Sequence, residues 1–285
     1  MLKIGWFSTG QDQAARDLLT IPHDAIQDGS LKATIAFVFC NREPGESSES
    51  DAFIRLVREM GIPLVTLSSA RFHPDLRRRG LIQERDGELE TITRWRGQYD
   101  QSVIELLRFY PSDLGVLAGY MLIVSPLLCT SRDLINLHPA APGGPKGTWQ
   151  EVIWQLINER AQRTGAMMHL VTPELDEGPP ITYCSFSLTD AYMEPLWSSV
   201  TGKSSAEVRR TDGEANSLFR EIRRRGVIRE LPLILHTLKA FAEGDILIEN
   251  GQVVTRDGRI LEGGYSLTEQ IDEEISNLQY YEDCK

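Results

Sequence analysis

The chain has 285 residues, 41% of them hydrophobic and 25% charged, the balance of a globular protein large enough to bury a sizeable core. Its 30 Lys and Arg against 41 Asp and Glu leave a formal charge of -11, which excludes a basic nucleic-acid footprint. No leader pattern, no membrane-length apolar run and no CxxC spacing among Cys40, Cys129, Cys184 and Cys284 are present, which predicts a cytoplasmic protein with core thiols and no metal site or disulfide framework.

In chain order, short apolar runs at 3–7, 34–39, 63–67, 114–117 and 134–137 end in turn residues and read as buried strands. Stretches 14–19, 51–60 and 100–109 carry apolar residues at helical spacing, and Gly61 stops the second. This alternation predicts an α/β fold, a Rossmann-like, mostly parallel sheet with helices on both faces that gathers ligands at the carboxyl ends of its strands. The polar stretch from about Ser69 to Gln98, with RRRG and ERDGELE, breaks the rhythm and reads as a surface insertion. After Gly165, AMMHLVT and ITYCSFSL read as two strands joined by PELDEGPP. An Arg-rich helix follows, then a small terminal sheet with turn signals at Asn250-Gly251 and Asp257-Gly258. The expected organisation is a single domain over 1–285, with a catalytic core over 1–190, the insertion near 69–98, and a helical and β-hairpin extension over 191–285.

The run INLHPAAPGGP takes a strand into a proline and glycine loop. Residues two apart on a strand point to one face, so Asn136 and His138 project side by side at an open strand end. An imidazole can hold a reacting group, and an amide N–H can face a developing oxyanion. The histidine then needs a carboxylate to orient and charge it, and Asp176, in the turn before Gly178, is the best candidate. Taken alone, a histidine at a strand end is more often a packed residue, and His169 reads as packed or supporting.

VLAGYMLIVSP (116–126), NLHPA (136–140) and HLVTPELDEGPPI (169–181), in that order and spacing, resemble the folate-dependent formyltransferases, most of all the phosphoribosylglycinamide formyltransferase branch of purine synthesis. Weaker similarity runs from KIGWFSTG through VFCNREPGE, MGIPLV and YDQSVIELL and resumes at ELPLILHTLKAFAEGDILIENGQVV. The resemblance implies transfer of a formyl group from 10-formyltetrahydrofolate, as cosubstrate, to the amine of glycinamide ribonucleotide through a tetrahedral intermediate, with no metal. It implies that Asn136 and His138, the latter as imidazolium, stabilise the oxyanion while Asp176 charges His138 and helps proton transfer through water. It places the pterin against Met121, Leu122, Ile123 and Val124 and against Thr172, Glu174 and Leu175. The partners implied are small molecules, a folate and a phosphorylated amine, with no nucleic acid or membrane; a homodimer is left open.

The acceptor side departs from the family pattern. Where the family has a Gly-rich phosphate loop, this chain reads STGQDQAAR, making Ser8, Thr9, Gly10 and Gln11 the candidates, with an acidic neighbour in Asp12. Glu230 is the candidate for ribose hydroxyls, and Arg229 or Arg225 for a phosphate that the altered loop holds less well; otherwise these arginines form a solvated helix face. Leu122 replaces a common basic residue, and APGGPKGTWQE leaves Lys146, Thr148 and Gln150 as polar contacts. The altered loop keeps transfer to an amino-sugar nucleotide or other amine as a second expectation. A formyltetrahydrofolate hydrolase or a non-catalytic folate-binding protein is the third.

Overall fold

The computed structural model describes residues 1–283, so Cys284 lies outside the described residues. In chain order the elements are β1 (Leu2–Ser8), α1 (Gln13–Gln27), β2 (Ala33–Cys40), α2 (Ser48–Glu59), β3 (Leu64–Thr66), α3 (Pro74–Arg85), α4 (Glu90–Leu107), β4 (Leu114–Leu117), α5 (Pro126–Ser131), β5 (Leu134–His138), α6 (Trp149–Glu159), β6 (Arg163–Leu170) and β7 (Pro180–Ser187). They continue with α7 (Met193–Ser199), α8 (Ser205–Thr211), α9 (Ser217–Glu243), β8 (Ile246–Glu249), β9 (Gln252–Thr255), β10 (Tyr265–Ser266) and α10 (Thr268–Asp283).

One sheet runs β10-β7-β6-β5-β4-β1-β2-β3, and β8 and β9 form a second. The β1 pairings with β2 and β4, β2 with β3, β4 with β5 and β7 with β10 are parallel, whereas β6 and β7 are antiparallel. From β1 the chain winds outward through β2 and β3, then restarts on the other side with β4. The strand order therefore reverses between β1 and β4, the position where open α/β sheets leave a crevice for ligands.

The described residues group into two compact units, the first of Met1–Asn136, Leu170–Gly178 and Leu238–Gly251, the second of Leu137–His169, Pro179–Thr237 and the chain from Gln252. The first unit has an aromatic core in which Phe7 meets Phe37, Phe39 and Tyr120 at ring separations of 5.6, 5.7 and 6.0 Å. The second packs α6 and α9 around Trp154 and Phe219, 4.8 Å apart, with Val152, Leu156 and Leu218 buried beside them. Gly165 lies so close under β7 that a Cβ there would stand 2.1 Å from the Cys184 carbonyl oxygen.

The stretch 69–98, expected as a surface insertion, forms α3 and the first half of α4, and Ile92 and Trp95 are buried in the first unit's core. Trp95 stacks on Tyr99 at 5.1 Å and donates its indole N–H to the Phe72 carbonyl at 2.8 Å, while the Tyr99 hydroxyl donates to the Leu67 carbonyl at 2.6 Å. Charged residues on the outward faces hide an apolar stripe at helical spacing.

Asp100 sits in that stripe, 3% exposed, and accepts the Ser125 backbone N–H. Burial pushes its carboxyl up to about 6, against the opposing pull of its bonds to Ser125 and of the Arg96 charge. A folded pKa above the ordinary 3.8 means that folding favours the neutral acid, so this contribution is fully present below about pH 4 and lost as pH rises through about 6. At about 1.4 kcal/mol per unit, the charged form is disfavoured by on the order of 3 kcal/mol. Asp100→Asn, which keeps an acceptor without the charge, is expected to be about 1–3 kcal/mol more stable than wild type at pH 7.5 and to converge with it at pH 4. Urea unfolding at both pH values checks this.

Candidate active site

The first unit holds the strand ends at the order reversal. Parallel pairing of β1 and β4 continues past both strands, because Ala118 donates to the Phe7 carbonyl and Thr9 to the Gly119 carbonyl, both at 3.0 Å. Ser8 and Thr9 are buried. The Ser8 hydroxyl accepts the Gly10 N–H at 3.2 Å, and the Thr9 hydroxyl accepts the Met121 N–H at 2.8 Å. Both hydroxyls therefore serve the backbone, and the second brings the β1 loop against the 121–124 segment. Gly10 has φ +61°, and a Cβ there would lie 2.7 Å from the Phe53 ring, so the loop needs glycine at this point. Gln11 is exposed. Asp12 caps α1, accepting the Ala15 N–H at 2.9 Å, so a carboxylate already occupies the helix start that would otherwise attract a phosphate.

Along 121–124 the side chains alternate, with Met121 45% and Ile123 37% exposed, Leu122 half-buried and Val124 buried. The second predicted segment begins where Val171 donates to the Leu134 carbonyl at 2.8 Å, alongside β5. It then turns back, with the Thr172 hydroxyl donating to the Glu174 carbonyl at 3.1 Å and Glu177 N–H to the same carbonyl at 3.3 Å. Leu175 is 52% exposed at the tip. Asp176 is half-buried at φ +54°, a backbone region uncommon for non-glycine residues and best tolerated by Asn and Asp. Asn136, half-buried on β5, pairs in register with Leu117 of β4.

His138 belongs to the second unit as the last residue of β5, and it is buried. Its Nε2 lies 2.8 Å from the Pro145 carbonyl oxygen, which only accepts, so Nε2 carries a proton. The buried His169 ring meets it edge to face at 6.0 Å. Sequence reasoning missed the Pro145 carbonyl, since a main-chain acceptor has no side-chain signature. Thr148 forms a capping box with Glu151 at the start of α6, Lys146 is exposed and Gln150 half-buried.

The arginines of α9 have partners of their own. Arg225 bonds to Asp190, to Glu221 at 2.8 Å and to the Ser187 carbonyl at 3.1 Å. These contacts raise its pKa, and the Arg225 guanidinium holds the Asp190 carboxyl below its ordinary value. Arg229 lies over the Phe186 ring at 4.6 Å and pairs with Asp272 at 2.8 Å. Buried Glu230 accepts from Arg223 at 2.8 Å. Among the described residues no group of His, Cys, Asp or Glu could hold a metal ion, and no helix is long and apolar enough to cross a membrane.

Residues 2–192 match the family described as Formyl transferase. The chain belongs to this family. It is similar to the phosphoribosylglycinamide formyltransferase of Escherichia coli, at 29% identity over 161 residues, covering 55% of this chain and 62% of that protein. The Schizosaccharomyces pombe enzyme of the same name is 38% identical over 94 residues, 30% of this chain and 45% of that one. The chain thus spans less than two-thirds of the length of these relatives. Among solved structures, the phosphoribosylglycinamide formyltransferase of Coxiella burnetii superposes with a TM-score of 0.62 at 20% identity, covering 93% of this chain and 98% of that one. A formyltetrahydrofolate deformylase from Pseudomonas syringae does so with a TM-score of 0.58 at 20% identity, covering 89% and 65%. The formyl transferase fold is therefore common to proteins named for different acceptors, and likeness of fold does not choose between them.

Gly178 sets the return of the Asp176 turn, since a Cβ there would stand 1.7 Å from the Leu170 carbonyl oxygen. Gly178→Ala is expected to cost about 2–4 kcal/mol in urea unfolding because the obstructing atom is backbone.

Proposed function

We propose that the protein transfers the formyl group of 10-formyltetrahydrofolate to the amine of glycinamide ribonucleotide. The observation that carries this reading is a buried His138, its Nε2 held by the Pro145 carbonyl, two positions from Asn136 at the carboxyl end of β5 in a formyl transferase chain. The acceptor amine attacks the formyl carbon, and the carbonyl oxygen becomes an oxyanion that receives hydrogen bonds from the Asn136 amide and the His138 imidazolium. Asp176 keeps His138 charged and takes part, through water, in moving the proton lost by the attacking nitrogen. Collapse breaks the bond to the folate nitrogen, which takes up a proton, and leaves a formamide and tetrahydrofolate. No step calls for a metal ion.

Met121, Leu122, Ile123 and Val124, with Thr172, Glu174 and Leu175, hold the folate in this scheme. Ser8, Thr9, Gly10 and Gln11 form the acceptor loop. Arg229 and Glu230 already sit in internal ion pairs, so either would have to exchange a partner to meet the acceptor. We read residues 1–285 as one cytoplasmic formyltransferase domain. One observation favours a second acceptor class: with Asp12 capping α1, the helix start is poorly suited to a terminal phosphate, which supports an amino-sugar nucleotide or another amine.

His138→Ala is expected to lower kcat by about 100- to 10,000-fold, with donor affinity changed only a few-fold. Turnover assays paired with folate-fluorescence titration check both quantities. Unchanged turnover in that variant would remove His138 from the mechanism.

A further inference from the structure

The 119–125 loop joins β4 to α5 and is held at both ends by buried side chains. At its start, Thr9 donates its N–H to the Gly119 carbonyl at 3.0 Å and accepts the Met121 N–H on its hydroxyl at 2.8 Å. At its end, the Ser125 backbone N–H donates to Asp100. Ser125 is the N-cap of α5 and makes no side-chain cap bond, and Asp100 supplies the acceptor for its backbone N–H. Between these two anchors Met121 and Ile123 stay exposed.

A carboxylate in the apolar stripe of a helix is unfavourable unless a specific bond offsets its desolvation. An aliphatic residue at position 100 would continue the packing of Val103 and Leu107, both buried on the same helix. What an aliphatic residue lacks is the acceptor for Ser125. We propose that Asp100 is a positioning residue, which with Thr9 fixes the backbone of 121–124 in the geometry that receives the folate. This rests on the assignment of that segment to the folate and adds the residues that preorganise it. Asp100 touches neither substrate; it acts through the main chain, where a displacement of about 1 Å is enough to lose much of a preformed binding edge.

The test compares Asp100→Leu, which fills the space but removes the acceptor, with Asp100→Asn, which retains one. Asp100→Leu is expected to raise KM for 10-formyltetrahydrofolate at least tenfold, with kcat within threefold and KM for the amine unchanged. Asp100→Asn is expected to restore the wild-type KM. Amide hydrogen exchange of 121–125 should quicken at least tenfold in Asp100→Leu and not in Asp100→Asn, with β1 and β5 unaffected. Should Asp100→Leu fail to fold, Thr9→Val removes the hydroxyl acceptor of Met121 in an isosteric change, with the same rise in the folate KM and the same faster exchange of 121–125 expected. A wild-type KM and unaltered exchange in the folded variant would overturn the proposal. Failure of wild type to bind the folate would instead overturn the functional reading, while the exchange measurement still decides whether Asp100 holds the loop.

Discussion

The parallel pairing of β1 with β4 places the loops that follow these two strands side by side. Ile4 to Phe7 run in register with Leu114 to Leu117, and the main-chain bonds continue beyond the strands through Ala118 and Thr9. The winding direction reverses here, the position at which open α/β sheets leave a crevice beyond the strand ends. Thr9 converts that topology into local geometry, since its hydroxyl takes up the Met121 N–H. The same economy governs the helix starts. Asp12, Ser47, Thr148 and Ser204 each cap a helix with their own side chains, and at Asp12 the consequence is a loop already furnished with negative charge.

Much of this architecture was legible because the buried strands of a parallel sheet are short, apolar and bounded by turn residues. β4 spans the predicted residues, β1, β2 and β5 each run one or two residues further, and β3 is shorter at both ends. The Asn136 and His138 positions on one strand followed from simple alternation. The helical stretch 74–99 was obscured because arginines and glutamates crowd the outward faces, so overall polarity concealed Ile92, Trp95 and Tyr99 spaced three and four residues apart. Asp100 was legible only in retrospect, as an acid in that apolar stripe. The Pro145 carbonyl beside His138 could not be foreseen, since its role depends on the path of a loop and not on a side chain.

Charge density is a poor guide to substrate contacts in this chain. The arginines of α9 looked available because they cluster in sequence, yet Arg223, Arg224, Arg225 and Arg229 each engage an acidic side chain. Asp12 stands as an acidic neighbour in the expected phosphate loop, and the structure gives it the task of a helix cap. In both cases the hydrogen-bond inventory of the folded protein, not the sign of the charge, decides what a residue can offer a ligand. In the proposed scheme the chemistry of the formyl group and the choice of acceptor are separable, the first assigned to β5 and the second to the loop after β1.

The most direct measurement follows a 13C-labelled formyl group from 10-formyltetrahydrofolate in the presence of wild-type protein and glycinamide ribonucleotide, a 4-amino-sugar nucleotide or water alone. The account predicts that the label appears as the formamide of glycinamide ribonucleotide. Label found only in free formate, or no turnover with any acceptor, would contradict it.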